Sequence, residues 1–105
     1  RLEDGDRLPD IIEEFAASHN LQRAACIMVG GIDSGGKLVV GPYDGEVLPP
    51  VPIPFELDGV HEVAGVGTIF PNEAGQPVLH MHASFGRGGQ TELLQSRNFL
   101  SFECG

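Results

Sequence analysis

The chain has 105 residues, enough for one domain that buries roughly 60–65% of its unfolded surface. Its 41% hydrophobic and 20% charged content is that of an ordinary soluble globular protein, and no apolar run reaches the length of a membrane span, so a cytoplasmic location is expected. Fifteen acidic residues against six scattered basic ones give a net charge of −9, which opposes direct contact with a polyanion such as nucleic acid.

The opening Arg1-Leu2-Glu3-Asp4-Gly5-Asp6 reads as the end of a strand entering a turn. Asp6 is placed to accept hydrogen bonds from a helix starting at Arg7, with Pro9 in the first turn, where a missing N–H costs nothing. Leu8, Ile11, Ile12, Phe15 and Ala16 recur at helical spacing, with Asp10, Glu13, Glu14 and Ser18 on the other side. The acidic start suits the helix dipole, His19 reads as a last-turn residue, and Asn20 as a left-handed stop.

Residues 24–29, Ala-Ala-Cys-Ile-Met-Val, have the character of a buried strand, halted at Gly30-Gly31. No helix signal follows the glycine pair, so it suggests a bend or a close backbone contact rather than a phosphate cradle. Cys26 and Cys104 are far apart and form no Cys-x-x-Cys pair, which points to a reduced compartment, with Cys26 a small core residue. Lys37–Val40 is a third strand. Pro49, Pro50, Pro52 and Pro54 then alternate with Val51, Ile53 and Phe55 in an extended arm, which is expected along the domain or against a neighbouring subunit.

Residues 60–70 form the longest strand, and the turn-rich loop 71–77 leads back into Val78-Leu79-His80-Met81-His82-Ala83, so the two predict an antiparallel hairpin. Gly65 and Gly67 share a face and leave a trough, either beneath the histidines or on the reverse side. Alternation puts His80 and His82 on one face, roughly 6.5–7 Å apart along the backbone, where two neutral imidazoles can converge on one metal ion. Asn98–Phe102 is a further strand candidate before the chain stops at Gly105.

Taken together, the helix, Val29-Gly30-Gly31-Ile32, the run from His61 to Ile69, Gly75–His82 and Phe85-Gly86-Arg87 resemble the PPC (plant and prokaryote conserved) family. The resemblance covers roughly residues 1–92 of a single domain spanning 1–105, with 92–105 atypical of the family's glycine-rich closing strand. It implies an α/β (α+β) fold, with one amphipathic helix packed on a twisted, mainly antiparallel sheet, assembled as a homotrimer. Prokaryotic members carry a DNA-binding label, and several look able to hold a metal through His-x-His and a histidine after a Gly-Gly pair. Here His80 and His82 match that pair, while the third position holds Gln90.

His61 could replace the missing ligand, with zinc as the candidate metal and Glu62 as a carboxylate ligand or general base. His61 and Glu62 alternate, so only one of them can join the pair from a regular strand. The leading expectation is an assembly and binding module with metal capacity, followed by a DNA-binding transcriptional regulator. A metal-dependent enzyme ranks third, since no P-loop, Rossmann fingerprint or activated nucleophile motif accompanies the histidines.

Overall fold

A strand with small or apolar residues at both alternating sets of positions belongs inside a sheet, and the 61–71 segment is such a strand. The computed structural model describes residues 1–96 and 102–103, with side chains through residue 89. In it β5 (His61–Pro71) lies between β2 (Ala24–Ile32) and β6 (Pro77–Arg87), and β7 (Gln90–Ser96) completes an antiparallel sheet of order β2-β5-β6-β7. Two smaller ribbons flank it: β1 (Arg7–Leu8) pairs with β8 (Phe102–Glu103), and β3 (Lys37–Pro42) pairs with β4 (Pro52–Glu56). The helix α1 (Asp10–Ser18) packs over one sheet face. The α+β expectation of one helix on antiparallel sheet therefore holds. No helix among the described residues is long and apolar enough to cross a membrane.

Several local expectations are corrected. The helix begins at Asp10 rather than Arg7, because Arg7 and Leu8 are taken up in pairing with Glu103 and Phe102. Pro9 occupies the N-cap and provides no side-chain cap. Asp6 instead closes the preceding turn: its Oδ2 accepts from the Glu3 amide at 2.7 Å, and its own amide donates to the Glu3 carbonyl at 3.1 Å. The other end matches expectation. His19 is the C-cap, its ring stacks on Phe15 with centroids 4.0 Å apart, and Asn20 takes a left-handed φ of 52°.

Gly30 and Gly31 do not stop their strand. They pair with Val63 and Glu62, because β5 extends far enough to offer them partners. Pro52 and Pro54 sit in a two-stranded ribbon, where an absent amide leaves no central ladder broken. The strand β7 runs antiparallel to β6 from Arg87↔Gln90 to Met81↔Ser96. The strand expected over 98–102 lies outside the described residues, apart from Phe102.

The core forms where α1 covers the sheet. Val63, Ile69, Leu79, Met81, Ala83 and Phe85 are buried there with Leu8 and Ala16, and each large side chain contributes about 1.5–3 kcal/mol of transfer free energy. The glycine trough lies on this covered face. Gly65 stands opposite Ala83 and Gly67 opposite Met81. A Cβ on Gly67 would come within 3.0 Å of the His80 carbonyl and 3.1 Å of Cys26 Sγ, so glycine is what lets the Cys26 and Leu79 side chains close over the strand.

Among the described residues pairing with β7 begins at Met81, and the Leu79 amide donates to the Glu13 carboxylate of α1 at 2.8 Å. The extents are 38 × 38 × 18 Å, and the radius of gyration of 14.1 Å exceeds the roughly 13 Å of a rounded domain of this length. Such flatness is that of a sheet covered on one side only.

Candidate metal centre

Because Met81 and Ala83 point into the core, His80 and His82 point out of the other face. Thr68 stands opposite His80 and Val66 opposite His82. The two Nε2 atoms are 3.1 Å apart and the rings tilt by 36°, with centroids 5.1 Å apart. At that separation one Nε2–H donates to the other. Two nitrogens bound at 2.0–2.1 Å to one tetrahedral zinc lie about 3.3–3.4 Å apart, so replacing the shared proton by a metal requires only a small outward movement of the rings. The donor set fits two positions of a tetrahedral site.

The remaining expected participants are not brought to the pair. His61 falls on the covered face with Val63, and its Nδ1 bonds to the Gly59 carbonyl at 2.9 Å. It therefore cannot serve as the third ligand within the protomer. Glu62 does face the histidine side, but four positions before Val66, about 13 Å along the strand and too far to act as ligand or base beside the rings. Gln90 pairs with Arg87 at the far end of β6, the end away from His80. Among the described residues no group of three His, Cys, Asp or Glu side chains is placed to hold a metal.

Sequence reasoning missed the surroundings of the pair. Ile27 is 83% exposed, Val29 79%, Val66 62% and Phe70 52%, and all four project from the histidine face. An apolar strip of large side chains is thus open beside the imidazoles, on the side of β5 and β2. Its signal was available in β5, where Ala64, Val66, Thr68 and Phe70 alternate with a second apolar set; a strand half-bathed in water alternates apolar with polar instead.

Cys26, on the covered face, is half-buried, and desolvation pushes its thiol above the ordinary value of 9.0, against a smaller lowering by a hydrogen bond with the Gly67 backbone. That environment disfavours the thiolate and suits a packing role.

Among the described residues one helix packs on an antiparallel sheet whose opposite face exposes large apolar side chains beside a histidine pair, and this arrangement defines the class of domain. The family model of the Plants and Prokaryotes Conserved (PCC) domain matches residues 1–93, and the chain belongs to that family. It is similar to a metal-containing protein from Archaeoglobus fulgidus, 25% identical with a TM-score of 0.76, over 97% of this chain and 67% of that one. A plant- and prokaryote-conserved (PPC) protein from Pyrococcus horikoshii is 21% identical with a TM-score of 0.79, over 98% of this chain and 67% of that one. A protein from Ralstonia eutropha JMP134 described as a "putative DNA-binding protein" is 21% identical with a TM-score of 0.71, over 99% of this chain and 67% of that one. No curated protein matches the chain.

Proposed function

We propose that this chain is an assembly and binding module that associates with copies of itself through the open sheet face and holds a zinc ion on His80 and His82. The observation that carries the reading is the placement of two converging imidazoles within an exposed apolar strip, since large contiguous apolar patches on small domains mark interaction surfaces. A homotrimer is the assembly that the family resemblance implies, and closed symmetry of that kind covers an apolar face on every copy at once. With two protein ligands per protomer, the metal's other positions fall to water or to groups of a neighbouring copy. The metal-containing relative from Archaeoglobus fulgidus supports the same reading.

In this arrangement the histidines bind and orient, and His61 and Glu62 lie away from the pair. Solution mass and metal content test the proposal together. The expected result is a mass near three chains, stoichiometric zinc, and a rise in Tm on adding zinc that disappears in the His80→Ala/His82→Ala variant. A single-chain mass at micromolar concentration, or a zinc response that survives the double substitution, would overturn it.

A second reading, association with DNA, draws on the labels of the relative from Ralstonia eutropha and of another from Bacteroides thetaiotaomicron. The net charge of −9 opposes direct contact. A gel shift at low salt that weakens as salt rises would establish that reading; no shift would remove it.

A further inference from the structure

A second exposed apolar surface lies on the arm that joins β3 to β4. The base of the arm is tied down, since Leu38 of β3 and Leu57 just past β4 are buried in the core and Val40 packs against it. Beyond Val40 and Ile53 the ribbon leaves the body. Residues 42–52 are all exposed, with Tyr43 at 69% and Leu48 at 84%, and Val47 and Val51 stand out beside them. The tip is held by its own chain: the Tyr43 amide donates to the Val51 carbonyl at 2.9 Å, and the Glu46 amide to Asp44 Oδ1 at 2.9 Å.

Proline decides how such an arm can be recognised. Pro49, Pro50, Pro52 and Pro54 remove four amide donors from residues 47–54, so this segment is a poor addition to a sheet edge and must be read through its side chains. Its fixed φ angles also hold it near an extended shape, which lowers the entropy lost on docking. Proline-rich extended chain packs on apolar surfaces that carry aromatic rings.

The open sheet face is a surface of that kind. Phe70 and the rings of His80 and His82 project from it, with Ile27, Val29 and Val66 alongside. From Ala64, opposite Val29, to Phe70 the strip runs about 20 Å, and residues 47–54 span about 25 Å when extended. Charge permits the match between two copies. Residues 47–54 carry no charge, and the outward positions of β2, β5 and β6 carry one carboxylate, Glu62, at one end. Two chains of net charge −9 can meet there without setting like charges against each other. Within one protomer the arm does not cover the strip, since both surfaces are exposed.

We infer that the arm of one copy, residues 43–54, packs against the open sheet face of the next, so that each copy gives one arm and receives one. The inference rests on the proposed self-association and specifies it: the contact is head to tail and closes as a ring, rather than joining two sheet faces about a two-fold axis.

The test uses the full chain and two variants that each remove one half of the contact, Leu48→Lys on the arm and Val66→Lys on the face. Both side chains are exposed, so the dissociated variants should melt together. Each alone should have the mass of a single chain in light scattering. Mixed in equal amounts across a dilution series, they should form a species of two chains and no larger. The intact arm of Val66→Lys meets the intact face of Leu48→Lys, whereas the reverse pairing sets lysine against lysine. Val51→Lys and Val29→Lys, also exposed, should repeat the result as a second pair.

A wild-type mass retained by Leu48→Lys, or a mixture with no two-chain species at any concentration, would overturn the inference. If Val66→Lys dissociates the assembly in that case, the self-association reading stands without the arm. A single-chain mass for the unaltered protein would remove both.

Discussion

The two faces of the four-stranded sheet are nearly matched in composition and opposite in fate. On the helix side Val63, Ile69, Leu79, Met81 and Phe85 are at most 6% exposed, and two glycines make room for their neighbours. On the other side Ile27, Val29, Val66 and Phe70 stand in the open beside the histidines. The covered face holds the protomer together. The open face contributes little to the isolated chain, and its apolar character makes physical sense only against something else. Stability and interaction are thus divided between alternate residues of the same strands, and substitutions one position apart should have different consequences.

Phe85→Ala, on the covered face and 1% exposed, should cost the most: about 3–5 kcal/mol in urea denaturation, from lost transfer energy and the cavity left behind. Gly67→Val comes next. A β-branched residue suits a strand, yet its Cβ would meet the His80 carbonyl, Cys26 Sγ and Leu79 Cδ1 at 3.0–3.2 Å, so a loss of about 1–3 kcal/mol is expected in the same measurement. A gain would mean that the two faces are not packed differently.

Val66→Lys, its immediate neighbour on the open side, should change the stability of the dissociated chain by no more than about 0.5 kcal/mol while reducing the solution mass to a single chain in light scattering. An unaltered assembly would show that the open face is not where copies meet.

The smallest effect concerns pH. Burial raises the Cys26 thiol in the folded state, so the folded chain holds its proton more firmly than the unfolded one. The associated stability is complete below the unfolded value, near 9.0, and declines as pH rises from there through the raised folded value. Cys26→Ser should flatten that alkaline decline when stability is followed from pH 8 upward; an unchanged slope would place its origin at another group.

Much of this was legible from residue order. The helix period, its Asn20 stop, the 61–71 and 77–87 hairpin and the shared face of His80 and His82 all depend on spacing within a short stretch. Alternation alone already separated His61 from Glu62. Long-range pairing changed the rest. Arg7 and Leu8 left the helix for a strand because residues 102–103 pair with them. Gly30-Gly31 stayed extended because β5 reaches past them, and Glu13 became the acceptor for a backbone amide 66 residues away.

By itself, then, the sequence determined the helix over its periodic stretch, the two hairpin strands and that two imidazoles share one side of a strand, since all follow from side-chain periodicity. Only the tertiary structure decided which side receives the helix and where the glycine trough lies. Those outcomes depend on cross-strand register and on how far each partner extends, and no local spacing encodes either.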